Sequence, residues 1–278
     1  MVSLPISEQL KIDWQAPWLT HLPTAAYDAA HAQDLKITLN AHVADLSSGS
    51  GCALHFIAQE ALPVNVAYET HIFNTGGVPT RLNLHDFFNA TIWLTFPRTK
   101  AVLNARQAEQ IEKLGVQHER GVARDALTLF DENAAILVTC APSLAHALRE
   151  FDWHNTFVST RSLWDSPFKP RSDAKAALYP FGHALLEKLT EPYKAICAHT
   201  WVVHVTSDWF KLPLAERLTE LDARLAQQLK HIEFNPRDFC PLPILGVPHF
   251  WADNRDESFY NDARVFRSGR TRLQSKDQ

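Results

Sequence analysis

Three hydrophilic residues on one seam of an otherwise apolar segment are the first place where this sequence offers chemistry. The segment is NLHDFFNATIWLTF, Asn83–Phe96. An α-helix advances about 100° per residue. Wound that way, Leu84, Phe87, Phe88, Ile92, Leu94 and Phe96 cover most of the circumference, while His85, Asp86 and Asn89 gather on one stripe that Trp93 continues. A helix that is apolar nearly all round is buried nearly all round. Inside such a burial an unpaired polar group costs about 1–3 kcal/mol. The stripe therefore either supports the fold through hydrogen bonds or lines a pocket. If it supports the fold, Asn83 caps the helix, Asp86 suits the positive end of the helix dipole, and His85 and Asn89 pair with loop backbone. If it lines a pocket, His85 is a general acid or base, oriented by Asp86 or Asn89, because imidazole titrates near neutral pH.

Cations stand where a helix disfavours them. In FPRTK, Phe96–Lys100, Pro97 suits the first helical position. Arg98 and Lys100 then fall in the first turn, at a cost of about 0.3–1 kcal/mol each. A bound anion would remove that conflict. Arg81 lies just upstream, so Arg81, Arg98 and Lys100 are the expected holders of a small anionic ligand such as a phosphate. The competing reading has Pro97 merely kinking one continuous helix, with both cations solvated or paired.

A further set comes from FGHALLEKL, Phe181–Leu189, where His183 and Glu187 are four apart on one helical face. With His199 from the following strand they form a candidate ligand set for a divalent metal ion, although such pairs are common on solvated faces. Asp131 and Glu132 read as turn residues, and Asp125 is ambiguous. His71–Gly77 followed by Asn83–Leu84 has only poor spacing for a His–Asn–His nuclease finger. No G-x-S-x-G elbow is present.

The elements that must position these residues are read from periodicity. Ala25–Leu46 reads as helical with a break near Asp34, Ser47–Gly51 as a loop, and Ala53–Ala58 as a short strand. Val66–Phe73 reads as a helix stopped by Gly76–Gly77. After the helix over Asn83–Phe96, a second runs over Arg98–Leu114 and stops at Gly115. Ala126–Phe130 and Ala134–Val138 read as a β-hairpin turning at Asp131–Asn133. Helices are expected over Pro142–Phe151, Phe181–Thr190 and Leu214–Ile232, and a strand over Ala195–Val205. The interval Phe151–Asp173 reads as a hinge or surface excursion. The fold class expected is α+β, mostly helical with a small, largely antiparallel sheet. One domain is expected over 1–278, with a helical N-terminal segment over 1–50 and an irregular C-terminal segment over 235–278 whose last residues are mobile.

Composition narrows the function classes. A chain of 278 residues with 46% hydrophobic and 21% charged residues can bury a substantial core. Its formal net charge of −4 argues against extensive nucleic-acid binding. Cys52, Cys140, Cys197 and Cys240 form no C-x-x-C pair and read as buried thiols of a reducing compartment. The first residues have no basic run followed by an apolar stretch, and no segment has the length of a membrane span. The expected location is the cytoplasm.

Four blocks together resemble a known family: Thr80–Gln107, Arg124–Leu137, Phe181–Leu189 and Pro241–Pro248. That family is proteobacterial and catalogued as a domain of unknown function, numbered three-zero-two-five. The resemblance implies a bacterial, cytoplasmic protein. It implies no reaction and carries over no catalytic residue. From the residues alone, the leading expectation is a hydrolase acting on a small phosphate-bearing or anionic substrate. The alternative is a non-enzymatic binding or assembly factor for RNA or a protein partner, using aromatic surface near Trp14, Trp18 and Trp251.

Overall fold

A computed structural model describes residues 6–114, 122–233 and 235–269. The N-terminal part is helical, as its composition suggests: α1 (Ile6–Leu10), α2 (Thr24–Ala30) and α3 (Leu35–Asn40). The break near Asp34 is real, because the Asp34 carboxylate accepts from the Ile37 amide and starts α3. β1 (His55–Ile57) follows, then α4 (Tyr68–Thr75) and β2 (Gly77–Pro79). Gly76 ends α4 at a φ of 74°, a left-handed value that favours glycine. A Cβ there would also collide with the Ala53 carbonyl. β1 and β2 pair in parallel, Phe56 opposite Val78.

The site-bearing helices come next. α5 (Leu84–Thr95) is capped by Asn83, whose side chain accepts from the Asp86 amide at 2.7 Å. Phe87, Phe88, Ile92 and Trp93 are fully buried, as an all-apolar circumference requires. Pro97 does not kink one continuous helix; it opens a new one, α6 (Pro97–Leu114), after Phe96 leaves the helical conformation. The expected stop at Gly115 lies outside the described residues, as does the polar tail after 269.

The expected hairpin is replaced by α7 (Val122–Asn133) running directly into β3 (Ala134–Thr139). Among the described side chains of α7, Ala126, Leu127, Phe130 and Asp131 are buried, a spacing of one helical face. The apparent strand alternation in ALTLF was the weaker of two periods. Then come α8 (Pro142–Arg149), β4 (Ala176–Pro180), α9 (His183–Lys188), β5 (Cys197–His204), α10 (Leu214–His231) and β6 (Cys240–Pro243). Between α8 and β4 the chain makes short helical turns rather than a free excursion, and Trp164 bridges to Ala176.

The larger sheet has the order β4-β3-β5-β6. β3 pairs antiparallel with β4 and parallel with β5, and β5 pairs antiparallel with β6. The fold is α+β and mostly helical, with a mixed sheet. Every residue of β3 is buried, which suits a central strand covered on both faces. Of the four cysteines expected to be buried, Cys240 is; Cys197 is exposed, Cys52 and Cys140 are intermediate, and all are free thiols.

Candidate functional site

Four elements meet around a cleft of about 330 Å³ lined by residues of α4, α5, α6 and α7, with His183 of α9 at its edge. α5 presents His85, Asp86 and Asn89. α4 adds Tyr68 and Glu69, α6 adds Gln107, and α7 adds Arg124, Thr128, Asp131 and Glu132. The polar seam read from the sequence thus faces a cleft, but its partners differ from those expected.

His85 touches neither Asp86 nor Asn89 through a hydrogen bond among the described contacts. Its Nδ1 lies 3.0 Å from Glu187 Oε2, and its Nε2 lies 3.1 Å from His183 Nε2. A carboxylate can only accept, so Nδ1 of His85 carries the proton and donates it. With the proton on Nδ1, the ring's lone pair is on Nε2, and His183 Nε2–H donates to it. This leaves His183 Nδ1 buried without a hydrogen-bond partner, 4.0 Å from Asp131 Oδ2. Burial lowers the His183 pKa to about 4, with Asp131 opposing and Lys100 adding to the shift, so this ring is neutral. His85 and Glu187 are each about 40% exposed on their side chains, so solvent reaches the pair.

Asp86 serves Arg81 instead. It accepts from the Arg81 amide at 2.7 Å, from Nε at 2.8 Å and from Nη2 at 3.0 Å. Asn89 connects two others: its Nδ2 donates to the Tyr68 hydroxyl at 2.9 Å, and its Oδ1 accepts from Lys100 Nζ at 2.9 Å. Lys100 is only 3% exposed, and its Nζ also reaches Asp131 Oδ1 at 2.5 Å. Its charge is therefore answered by Asp131. Burial works against the charged form of Asp131, but the Lys100 ammonium holds its carboxyl below the usual range. Glu69 moves the other way: burial and the Asp131 charge raise it, while Lys100 and an Asn104 amide oppose. Two carboxyls pushed apart in one cleft are the pattern by which proteins separate acid from base.

Two of the expected residues lie elsewhere. Arg98 is exposed and borders a groove of about 920 Å³ between α6 and α10. The anion that the α6 N-terminus demands is Asp222 of α10, whose carboxylate accepts from the Arg98 and Thr99 amides at 3.0 and 2.8 Å. His199 sits in β5 with its ring against Phe239. The set His183, Glu187 and His199 is not assembled, and among the described residues no group of three or more His, Cys, Asp or Glu is arranged to hold a metal ion. The larger groove is also lined by ionisable groups, Asp45, Arg98, Arg106, Asp222, Lys230 and His231, but the smaller cleft is where the polar seam of α5 meets a histidine bonded to a carboxylate, and it is taken as the candidate site.

Tyr68, Glu69, Arg124 and Asp131 were missed as site residues. For α7 a signal existed: Arg124, Thr128 and Asp131 stand four and three apart on one helical stripe, the same arithmetic that found His85. Tyr68 and Glu69 carry no comparable local signal. Trp14, Trp18 and Trp251 do not form an exposed aromatic surface. Trp18 is buried against Phe250, Trp14 packs on Tyr27 and Phe87, and Trp251 is half-buried.

The model of a family described as a protein of unknown function, DUF3025, matches residues 54–270. The chain belongs to that family. The match spans all the cleft residues named above. No curated protein and no solved structure matches the chain. Among the described residues of this DUF3025 chain, no helix is long and apolar enough to cross a membrane.

Proposed function

We propose that this protein is a hydrolase of a small phosphate-bearing or otherwise anionic substrate, working at the cleft around His85. The observation that carries the reading is the pairing of His85 Nδ1 with Glu187 at 3.0 Å in a solvent-reached cleft. A carboxylate behind Nδ1 fixes the tautomer and steadies the imidazolium that forms when Nε2 takes a proton. A water that replaces His183 at His85 Nε2 gives its proton to that nitrogen while its oxygen attacks the substrate. The bond to the leaving group breaks, and His85 returns the proton to that group.

The anionic part of the substrate falls to Arg81 and Arg124. Asp86 takes Nε and Nη2 of Arg81 and so fixes the guanidinium plane, without using Nη1. Arg124 takes the place expected for Arg98, since it lines the cleft and Arg98 does not. Lys100 and Asp131 act as positioning residues for Asn89 and His183. The assembly-factor reading has less support, because two of the three tryptophans it needs, Trp14 and Trp18, pack on core aromatics.

The test is turnover of a phosphoester panel by chelator-treated protein. His85→Ala is expected to lower kcat by about 100-fold or more. Glu187→Gln, which keeps the shape and removes the charge, should lower it about tenfold. Equal rates for wild type and His85→Ala would remove the assigned role. Inertness of the wild type toward every phosphoester would remove the substrate class.

A further inference from the structure

His85 and His183 turn the same ring nitrogen toward each other. The two Nε2 atoms are 3.1 Å apart, yet the ring centroids are only 4.4 Å apart and the rings are edge-on at 86°. A head-on N–H···N bond would add a full ring radius at each end of the 3.1 Å gap, and 4.4 Å is too short for that. The ring axes are therefore tilted off the line that joins the two nitrogens. Two bonds from a tetrahedral zinc ion to imidazole, each about 2.0–2.1 Å, span roughly 3.3 Å between nitrogens.

The opposite nitrogens fit the same purpose. Metal-bound histidines usually give their other N–H to a carboxylate or carbonyl. His85 Nδ1 is already on Glu187. His183 Nδ1 is 4.0 Å from Asp131 Oδ2 and is one of the buried polar atoms left without a hydrogen-bond partner. If the His183 proton moves from Nε2 to Nδ1, it faces the Asp131 carboxylate, whose charge favours it there, and both Nε2 lone pairs become free. Glu69, Glu132 and Asp131 line the same cleft together with Arg81 and Arg124, and Lys100 pairs with Asp131, so the cleft's charges are mixed and the two ring nitrogens select the ion.

We propose that His85 Nε2 and His183 Nε2 together bind a borderline transition-metal dication of the Zn²⁺ type. Water or substrate oxygen completes its coordination. With two protein ligands the ion is exchangeable rather than permanent. Binding stands on the geometry alone. Its consequence rests on the acid–base reading above: metal and catalytic proton compete for the same lone pair on His85, so the ion inhibits.

Calorimetric titration of the chelator-treated full chain tests this, with Zn²⁺ as ligand, Co²⁺ as a spectroscopic probe and Mg²⁺ as an oxygen-seeking control. One Zn²⁺ per chain is expected, Co²⁺ should give visible-region bands of a nitrogen-ligated site, and Mg²⁺ should not bind there. His85→Ala and the more conservative His183→Gln should each abolish the Co²⁺ bands, with folding verified by circular dichroism. Glu187→Gln should weaken binding by about 10–100-fold, and His199→Ala should not change it. No Zn²⁺ binding by the wild type, or the same Co²⁺ spectrum in the folded His85→Ala variant, overturns the proposal. Those outcomes leave the turnover experiment untouched. Conversely, a chain that binds Zn²⁺ but hydrolyses nothing overturns the functional reading and not the metal site.

Discussion

Lys100 takes a full charge to a place where water barely follows. It is 3% exposed and Asp131 is 6% exposed, so each depends on the other. Removing one partner of such a pair leaves a buried charge unanswered, at a cost of about 3–5 kcal/mol. Lys100→Met is therefore expected to lower stability by that amount in urea unfolding. Lys100→Met combined with Asp131→Leu should recover most of it, because no lone charge then remains. A double variant as unstable as the single one would show that packing, not charge pairing, dominates there. The sequence displayed Lys100 as a cation in an unfavourable turn, and that conflict was legible. Its resolution was not, since Asp131 reaches it from α7 across a contact that no local spacing encodes. His85 was legible for the opposite reason: a polar seam on an apolar helix is a purely local pattern.

At the scale of elements, α6 starts on an anion supplied by the chain itself. Asp222 accepts the first free amides of α6, 124 positions before it in the chain at Arg98. Asp222→Ala should cost about 1–2 kcal/mol, the range for a lost helix cap, seen as a lower Tm with the cleft chemistry retained. A Tm unchanged from wild type would mean that water replaces the carboxylate fully. The dipole argument asks for a negative group at this terminus and the sequence suggests a bound ligand; the fold supplies the Asp222 carboxylate from α10 instead. The same limit explains α7. Its residues satisfy a helical and a strand period at once, and burial of Ala126, Leu127 and Phe130 on one side decides between them. The short strands β2, β4 and β6 went unread because their residues are stabilised by pairing with distant strands.

At the scale of the whole molecule, the N-terminal segment is tied to the sheet by His21, which is 3% exposed and whose Nε2–H donates to the Pro180 carbonyl at 2.8 Å. Burial lowers its pKa to about 4, with the backbone bonds opposing. The folded chain holds this ring neutral, while the unfolded chain protonates it below about 6.5. Its contribution is therefore complete above pH 6.5 and is lost as pH falls from there toward 4, by roughly 3 kcal/mol in all. His21→Gln should flatten the stability profile in that window, read from urea midpoints at several pH values; an unchanged slope would refute the assignment. Another junction governs how the cleft can move. Phe181 and Gly182 both donate their amides to the Ala134 carbonyl, and a Cβ on Gly182 would overlap the Glu132 carbonyl. The start of α9 is thus clamped onto the end of α7, so His183 and Asp131 share one stiff wall. Tyr68 and Glu69 stand on α4, between two strands that pair at three positions, against the five and six at which β3 pairs with β4 and β5. Opening of the cavity to admit a guest is then expected from the α4 wall, with amide exchange along α4 faster than at the α7–β3 junction; equal protection at the two would refute this.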